Sequence, residues 1–393
     1  MKALTLKAKN YRNIKELTIN PDPGVNLICG DNAQGKTNLI EAIWLFTGCK
    51  SFRGSKDSEL VSFGEERADL EFEFFSGGRE QIAQIQIDKK RSGTLNGVKM
   101  QSVREMIGVF RAVAFSPIHL NIVKGSPEER RKFIDMAVAQ SRPLYAKSLA
   151  GYNKVLKQRN MLLKSLYSNP SLADTLDIWD DRLASYGADI IIYRYEYTEH
   201  LKKEAVQIYE GLSSSKEEFT FEYVPTIRNI VTDGDNLSEI KADRGKIPFD
   251  ENGKPQYGEI KRRLYMNLVK HRKDDISNGT TSCGPHRDDF EIKVNSVSAR
   301  SFGSQGQQRS CALALKLGEA EVLKKLTDTS PVILLDDVMS ELDPSRQDYI
   351  LNRIKDKQVF ITCCDSIPAL NMCAGKIFEV KNGEIREYTK KEF

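Results

Sequence analysis

The run Gly30-Asp31-Asn32-Ala33-Gln34-Gly35-Lys36-Thr37 sets the expectations for the whole chain. It fits the pattern G-x-x-x-x-G-K-[ST], follows a predicted strand at Val25–Gly30 and opens a predicted helix at about Lys36–Thr47. Glycines let backbone N–H groups surround phosphates, and the helix N-terminus adds positive potential. In such a loop the lysine reaches the β- and γ-phosphate oxygens and Thr37 supplies a magnesium ligand. The run therefore predicts a site for ATP with magnesium.

A second part of this site is expected near the other end of the chain. The run Val332-Ile333-Leu334-Leu335-Asp336-Asp337 is typical of a buried strand that ends in two carboxylates, the edge at which doubly wound sheets bind ligands. Asp336 is the expected magnesium partner, and Asp337 is positioned to orient or activate the attacking water. Many buried parallel strands end in an acidic residue, so this run predicts a nucleotide site only in combination with the Gly-rich loop upstream.

The segment Ser304-Gln305-Gly306-Gln307-Gln308-Arg309 precedes a helix predicted over Gly306–Leu326. A serine and a glycine at a helix start also suit an ordinary cap. The order of motifs, from the Gly-rich loop through this S-x-G-Q segment and the acidic strand to Ser340-Glu341-Leu342-Asp343, resembles that of the ABC-type ATPases. The resemblance implies that S-x-G-Q grips the γ-phosphate bound to the opposite subunit and that S-x-L-D lines the dimer seam. ATP would then join two protomers.

The hydrophobic pattern changes along the chain from strand to helix and back. Alternating apolar positions predict strands in the first third, and helical periodicity starts at Pro127. Two long helices, Arg142–Leu166 and Asp174–Leu212, are expected to pair antiparallel. A tight turn is expected at Asn96–Gly97, and Gly234–Gly258 is expected to be a surface loop followed by a helix near Glu259–Lys273. The predicted fold is α/β, an ABC-type ATPase head assembled from N- and C-terminal halves with an inserted, mainly helical lobe. The expected boundaries are 1–126, 127–275 and 276–393.

Composition sets wider limits on the chain. With 393 residues, 40% hydrophobic and 29% charged, it is long enough for two or three domains, and its net charge of +4 is too small to argue for nucleic-acid binding. No uninterrupted apolar run reaches the roughly 18 residues of a membrane span, so a cytoplasmic protein without a membrane partner is expected. The seven cysteines lack zinc-site spacing and are expected to be reduced. For Cys363–Cys364, packing in a buried strand is favoured over a redox site.

The number of residues between Thr37 and Ser304 distinguishes this chain from transporter subunits, because the insertion is large and helical. The insertion is nevertheless too short for a long coiled-coil arm. Over essentially its whole length the chain resembles the RecF family of bacterial recombination mediators. The resemblance rests on Asn10–Asn13, Gly30–Asn38, Phe52–Gly54, Phe115–Pro117, Val123–Pro127, Arg130–Phe133, Gly284–Asp289 and Leu335–Val338. It implies an ATP-dependent homodimer that binds double-stranded DNA near single-stranded gaps, acts with RecR and RecO to help RecA load, and associates with the nucleoid.

The site residues expected from the motifs and the resemblance form one set. Arg12 is expected near the nucleotide phosphates, with a plain surface arginine as the alternative. His286 is interpreted as part of a structural turn in preference to a catalytic base. The catalytic candidates are Lys36, Asp336 and Asp337; the nucleotide-binding candidates are Arg12, Gly30, Asn32, Gly35, Lys36, Thr37, Asn38, Ser304, Gly306 and Gln307; the magnesium ligands are Thr37 and Asp336.

Two departures from the wider ABC pattern predict slow hydrolysis. Asp337 stands where most ABC ATPases have a glutamate, so its carboxylate reaches about one methylene less toward the water. Thr362-Cys363-Cys364 stands where transporters usually place a histidine that contacts the γ-phosphate. The expected enzyme is a weak, DNA-stimulated ATPase in which ATP binding closes a clamp and hydrolysis releases it.

Three basic segments are candidates for DNA contact. Residues 136–173 contain no acidic residue, and Lys147, Lys154, Lys157 and Lys164 share one helical stripe, although a solvated helix face is an equal alternative. Arg53 and Lys56 form a second candidate, and Arg130-Arg131-Lys132 a third. Recognition of the backbone and its shape, with steep salt dependence, is expected because no base-reading motif is present.

Two rival functions remain at this point. A transporter's nucleotide-binding subunit predicts a membrane partner and fast turnover, and the helical insertion and Thr362-Cys363-Cys364 argue against it. A DNA-organising clamp without a repair role has the same sequence chemistry, and only the whole-chain resemblance favours the repair protein over it.

Overall fold

The computed structural model describes residues 1–213, 216–233, 236–243, 245–363, 375–381 and 383–389. The strands are β1 (Lys2–Tyr11), β2 (Ile14–Ile19), β3 (Val25–Cys29), β4 (Ala68–Ser76), β5 (Arg79–Ile87), β6 (Arg91–Leu95), β7 (Val98–Lys99), β8 (Ala112–Phe115), β9 (Phe219–Val224), β10 (Asn229–Asp233), β11 (Asn236–Ile240), β12 (Asp289–Val294), β13 (Val297–Ser298), β14 (Val332–Leu335), β15 (Val359–Cys363), β16 (Lys376–Lys381) and β17 (Glu384–Thr389). The α-helices are α1 (Lys36–Leu45), α2 (Asn121–Lys124), α3 (Pro127–Ser141), α4 (Pro143–Ser165), α5 (Leu176–Ser213), α6 (Tyr257–Lys270), α7 (Arg272–Asn278), α8 (Ala299–Phe302), α9 (Gln305–Thr327) and α10 (Pro344–Ile354).

The chain folds into two compact units. The head unit contains residues 1–120, 204–217 and 309–393, and the lobe unit contains residues 121–203 and 218–308.

The head unit is built on a sheet that draws strands from both ends of the chain. Its order is β17-β16-β3-β15-β14-β8, with parallel pairing from β16 to β8 and an antiparallel β17 at one edge. Strands β8 and β14 are buried along their whole length, as expected for parallel strands covered on both faces. The predicted α/β head, assembled from N- and C-terminal halves, is confirmed by this strand order.

A second sheet of the head unit is antiparallel, with the order β2-β1-β4-β5-β6-β7. The predicted turn at Asn96–Gly97 connects β6 to β7, and both residues have positive φ angles, 51° and 78°. This conformation matches the turn that joins tight hairpins, where asparagine followed by glycine is preferred. The two short strands on either side of the turn were not predicted, because β6 is partly buried and β7 is exposed, so neither alternates clearly.

In the lobe unit, α4 and α5 pair antiparallel, as the periodicity predicted. The Ser148 hydroxyl donates to Asp189 at 3.0 Å, and further along, Arg159 donates to Asp180 at 2.6 Å. As the position on α4 increases, the partner on α5 decreases, which is the signature of opposite directions. Glycine suits position 151, since a Cβ there would lie 2.6 Å from the Tyr186 ring.

Two local predictions in the lobe unit need correction. Residues 236–240, expected in the surface loop Gly234–Gly258, form β11 and pair with β10 in an antiparallel hairpin. The polar composition hid this strand, because its register is set by β10 and not by an apolar face of its own. The single helix expected over Glu259–Lys273 is two helices, α6 and α7, which meet at His271.

The units also divide the sequence differently from the predicted boundaries. Residues 276–308, expected in the C-terminal half of the head, belong to the lobe unit, since β12 pairs with β9 and Asp289 accepts from Arg130 at 2.7 Å. Residues 204–217, expected in the lobe, belong to the head unit, where Glu204 accepts from Lys325 at 2.6 Å. Both differences arise from pairings between residues far apart in sequence.

Candidate functional site

An open cleft of about 350 Å³ lies in the head unit, at the carboxyl ends of the parallel strands. Doubly wound sheets place their ligands at this edge. The cleft is lined by Asn32, Ala33, Gly35, Lys36, Thr37, Asn38, Arg53, Asp336, Asp337 and Thr362. The Gly-rich loop and the acidic strand, predicted to form one site, therefore meet in it.

Glycine is required at both ends of the loop. Gly30 and Gly35 have φ angles of 148° and 115°, which side chains rarely adopt. A Cβ at Gly30 would lie 2.3 Å from the backbone oxygen of Val380, and one at Gly35 would lie 2.7 Å from Oδ1 of Asn13. Asn13 also donates to the Gln34 carbonyl at 2.8 Å and accepts from Asn38 at 2.7 Å. This residue, which was not among the predicted site residues, therefore supports the loop.

The loop lysine is held by the loop itself. The Lys36 ammonium is buried and donates to the backbone oxygens of Gly30 and Asp31, the latter at 3.0 Å. Next to it, the Thr37 hydroxyl donates to Oδ1 of Asp336 at 2.8 Å. This contact brings together the two predicted magnesium ligands, a hydroxyl and a carboxylate. Both are hard oxygen donors of the kind that Mg²⁺ takes together with waters and phosphates.

The two carboxylates of the acidic strand have different surroundings. Asp336 is buried, and burial raises the pKa of its carboxyl group, although hydrogen bonds from Thr37 and Thr362 act in the opposite direction. Asp337 is exposed, has a φ of 54°, and accepts from the Ser340 hydroxyl at 2.9 Å. Aspartate tolerates this left-handed backbone better than most residues.

Thr362 connects the Asp336 carboxylate to the backbone of Asp337. Its hydroxyl donates to Oδ1 of Asp336 at 3.1 Å and accepts from the backbone N–H of Asp337 at 2.8 Å. The sequence marked this position only as the place where transporters carry a histidine. Its role follows from the pairing of β14 with β15, a contact between strands that a local pattern does not reveal. Cys364 of the same segment lies outside the described residues.

Two arginines have partners that the sequence did not predict. Arg12, expected near the phosphates, donates to the fully buried Glu41 at 2.8 Å and to Ser55 at 2.7 Å. A buried carboxylate on α1 requires such a partner. Arg53, expected on a DNA patch with the exposed Lys56, lines the cleft and donates to Asn38 at 2.9 Å. Its positive charge opposes the rise in the pKa of Asp336.

The S-x-G-Q segment forms a helix cap at the start of α9. The Ser304 hydroxyl accepts from the backbone N–H of Gln307 at 3.2 Å, and the Gln307 side chain accepts from the backbone N–H of Ser304 at 2.8 Å. This reciprocal pair is a capping box. Ser304 is nevertheless exposed, and a Cβ at Gly306 would make only an ordinary contact, 3.9 Å from the Ser304 hydroxyl oxygen.

The basic segments differ in how many of their charges are already paired. Lys147, Lys154, Lys157 and Lys164 are all exposed on α4. Arg159 of the same helix is fully buried and binds Asp180 and Asp275, so it cannot contact DNA from this position. In the third segment, Arg130 binds Asp289, Arg131 donates to the Asp288 carbonyl, and Lys132 binds Glu128 and Glu129.

His286 is half-buried in a turn of the lobe unit. Its Nε2 donates to the Thr281 carbonyl at 3.1 Å, and its Nδ1 accepts from the Tyr152 hydroxyl at 2.7 Å. Burial lowers the pKa of the imidazole to about 4, so the ring is neutral near pH 7. This arrangement supports the structural interpretation of His286.

Membrane spans and clustered metal ligands are both missing from the described part of the chain. Within those ranges no helix is long and apolar enough to cross a membrane. Nor do the described residues bring together three or more His, Cys, Asp or Glu side chains as a metal site.

The comparisons with known proteins agree with this geometry. Residues 3–384 match the family described as RecF/RecN/SMC N terminal domain. The chain is 39% identical over 386 residues to the DNA replication and repair protein RecF of Clostridium perfringens (strain SM101 / Type A), covering 97% of this chain and 99% of that protein. It is 37% identical over 385 residues to the RecF protein of Agathobacter rectalis, covering 97% and 98%.

Solved structures give the same relationship. A structure described as the recombination mediator protein RecF-ATP in the RecFOR pathway is 36% identical, with a TM-score of 0.87, and the match covers 98% of this chain and 97% of that one. The Smc head domain from Pyrococcus furiosus, bound to a domain of ScpA, is 16% identical, with a TM-score of 0.54 and coverage of 99% and 96%. The second match supports the fold alone.

The burial of Asp336 leads to a prediction about stability. A carboxyl group whose pKa is raised by folding stabilises the fold at pH values below the pKa that the group has in the unfolded chain. This contribution is lost as the pH rises through the pKa of the group in the folded protein. Asp336→Asn keeps an acceptor for Thr37 and Thr362 but has no charge to bury. Without nucleotide or metal, we expect it to be more stable than wild type at pH 7 by about 0.5–2 kcal/mol.

Thermal unfolding in EDTA between pH 7 and pH 3 checks this prediction. The difference should shrink as Asp336 becomes protonated in the wild type. Asp337→Asn is the matched control, because its carboxylate is exposed and its removal should change the unfolding temperature little. An Asp336→Asn protein that is no more stable than wild type at pH 7 contradicts the prediction.

Proposed function

Because the chain belongs to the RecF family, we propose that it is an ATP-binding recombination mediator of DNA replication and repair. The observation that carries the proposal is the contact of Thr37 with Asp336 in a cleft that opens at the strand ends. The family match over residues 3–384 and the ATP-bound RecF structure support the choice of nucleotide.

Each side of the cleft has a part in holding ATP. Lys36 would bind the β- and γ-phosphates once they compete with the loop carbonyls for its ammonium group. Thr37 and Asp336 would hold Mg²⁺, which the phosphates and waters would complete. Gly30, Asn32, Gly35 and Asn38 shape the loop around the phosphates, and Arg53 adds a positive charge at the cleft wall.

A second copy of the chain would complete each nucleotide site. Ser304, Gly306 and Gln307 stand at the N-terminus of the 23-residue helix α9, whose first amides favour an anion. The exposed Ser304 and the absence of a side chain at Gly306 leave this end accessible. In the proposed dimer these residues bind the γ-phosphate held by the opposite protomer, and ATP thereby closes a clamp.

Oligomeric state measured by light scattering, with and without ATP and magnesium, tests this proposal. We expect ATP to dimerise the wild type and to leave Lys36→Met and Ser304→Arg monomeric, because each substitution removes one half of the composite site. Ser304→Ala is the milder control, since it removes the cap hydroxyl without filling the site. A wild type that stays monomeric with ATP, or a Ser304→Arg protein that dimerises normally, contradicts the composite site.

Hydrolysis in this dimer would be slow. The left-handed backbone at Asp337 and its hydrogen bond from Ser340 hold a short carboxylate at the cleft edge. Thr362, at the position where transporters carry a histidine, has its hydroxyl committed to Asp336 and to the backbone of Asp337. ATP binding would therefore set the closed state, and hydrolysis would reset it after a delay.

Steady-state phosphate release, with and without DNA, checks the expected rate. Turnover should fall at or below the low end of the usual enzyme range of about 1–1000 per second, and DNA should increase it. Asp337→Asn should still dimerise with ATP and should release less phosphate, because the group that orients the water is weakened. Turnover well above the low end of that range without DNA, as a transport motor requires, rules out a slow switch.

The lysine stripe of α4, defined as Lys147, Lys154, Lys157 and Lys164, is the proposed DNA contact of the lobe unit. All four side chains are exposed, and no acidic residue occurs between residues 136 and 173. Positions seven and three residues apart on a helix lie along one face, where they match successive phosphates. The other two basic segments are less suited, because Arg53 lines the cleft and Arg130–Lys132 are paired within the chain.

Substitution of the whole stripe by glutamine tests this contact. We expect weaker binding to double-stranded DNA and a smaller dependence on salt, by about 0.9 in the logarithmic slope for each phosphate that the stripe no longer neutralises. The matched control replaces Lys15, Lys89, Lys90 and Lys99, four exposed lysines of the head unit, and so removes the same charge. Equally weakened binding by the two variants would point to net charge instead of a contact at α4.

The partners expected of the family complete the proposal. The related structure is described within the RecFOR pathway, which supports action together with RecO and RecR. We propose that the ATP-bound dimer binds double-stranded DNA next to single-stranded gaps and, with these partners, promotes loading of RecA. Co-purification with RecR distinguishes this role from that of a DNA-organising clamp, for which condensin-like subunits are expected.

A further inference from the structure

Two thiols face each other beneath the nucleotide cleft. The Sγ atoms of Cys29 and Cys363 lie 3.1 Å apart, on the adjacent parallel strands β3 and β15. The strand register pairs the two residues directly. Cys29 is followed by Gly30, the first residue of the phosphate loop. Cys363 follows Thr362, whose hydroxyl binds the Asp336 carboxylate and the backbone N–H of Asp337.

The backbone is already suited to a disulfide at this position. Neighbouring strands lie roughly 4.8 Å apart, within the range of about 4.4–6.8 Å that separates the Cα atoms of bonded cysteines. The two sulfur atoms would approach by about 1 Å to reach the S–S bond length of about 2.05 Å.

The pair differs from the other described cysteines. Cys49, Cys283 and Cys311 are buried, and burial raises the pKa of their thiols to about 11, 12 and 12. The pKa of Cys29 is lowered, mainly by its hydrogen bond with Cys363. Cys363 is half-buried, whereas Cys29 is buried. We therefore expect a small oxidant to reach the pair at Cys363.

We propose that Cys29 and Cys363 are a reversible redox-modification site whose disulfide weakens ATP binding in the cleft. This inference rests on the proposed function, because it assigns a form of regulation to the same nucleotide site. It differs from the redox alternative considered for Cys363–Cys364, since the partner thiol comes from the neighbouring strand.

A low-molecular-weight disulfide such as oxidised glutathione supplies the oxidising equivalents. The Cys363 thiolate attacks one glutathione sulfur, forms a mixed disulfide and releases the first glutathione thiolate. The Cys29 thiolate then attacks the Cys363 sulfur and releases the second. The two protein thiols lose two electrons, one glutathione disulfide becomes two glutathione molecules, and the two thiol protons pass to the leaving thiolates.

The bond would act on both sides of the cleft. The Val380 carbonyl packs so closely against Gly30 that an added Cβ would lie 2.3 Å from its oxygen. Gly30 therefore has little room to move with Cys29. The same residue gives its carbonyl to Lys36, so any displacement changes the position of the phosphate-binding ammonium. On the other strand, a shift at Cys363 moves Thr362 and with it Asp336. We expect oxidation to weaken ATP binding about tenfold, within the usual range of coupling between two sites.

The coupling between the disulfide and ATP binding is reciprocal. If the disulfide weakens ATP binding tenfold, saturating ATP disfavours the disulfide by the same factor, which corresponds to about 30 mV in the two-electron reduction potential. ATP would therefore protect the thiols, and oxidation would act mainly on protein without nucleotide.

Peptide mapping identifies the disulfide. After treatment of the full chain with oxidised glutathione, trypsin should release the peptide Glu16–Lys36 linked to the peptide Gln358–Lys376. The second peptide also contains Cys364 and Cys373, so Cys363→Ser and Cys364→Ser are compared: the first should abolish the link and the second should retain it. A link through Cys364 or Cys373, or no link at redox poises that oxidise an ordinary protein dithiol, overturns the proposal.

Binding of a fluorescent ATP analogue measures the consequence. Oxidised wild type should bind about tenfold more weakly than reduced wild type and should recover with dithiothreitol. Cys29→Ser should bind like the reduced wild type before and after oxidation. Equal affinity of the oxidised and reduced forms overturns the regulatory claim. Failure of the reduced wild type to bind more tightly than Lys36→Met would instead contradict the proposed function.

Discussion

The hydrogen bond from the Thr37 hydroxyl to Asp336 joins residues 299 positions apart in the sequence. Such a contact requires β3 and β14 to lie in one sheet, with β15 between them to supply Thr362. The parallel register therefore sets the phosphate loop against the carboxylates. Neither half of the chain contains the site by itself. Its assembly depends on the pairing of N- and C-terminal strands.

The assembled site buries the Asp336 carboxylate, whose negative charge the folded head unit by itself disfavours. Burial raises the pKa of Asp336, while its two threonine partners and the nearby Arg53 favour the ionised form. A bound magnesium ion would supply the missing positive charge, which links ligand binding to the stability of the head unit. Cys29 lies on β3 and Cys363 lies on β15, the two strands that lead to the phosphate loop and to Thr362. A reaction at the thiols therefore affects the backbone that positions the cleft residues.

Much of this fold was predictable because its signals are local. A 3.6-residue period predicted the 38-residue helix α5, and the Gly-rich loop indicated both the strand before it and the helix after it. The contacts that the sequence did not reveal join residues that lie far apart in the chain. Arg159 belongs to a basic segment, yet Asp180 and Asp275 bind it in the interior. Likewise, Arg53 lines the cleft and Arg12 binds Glu41. Thr362 was missed as a connecting residue for the same reason.

The central claim is that each nucleotide site draws on two protomers, and mixing two inactive variants tests it most directly. In a heterodimer of Lys36→Met with Ser304→Arg, one site carries both substitutions and the other carries neither. Each variant alone should hydrolyse no ATP above background, and an equimolar mixture should recover activity, up to about half of the wild-type rate, since only mixed dimers form with ATP and each has one intact site of two. A mixture no more active than its components contradicts the shared site.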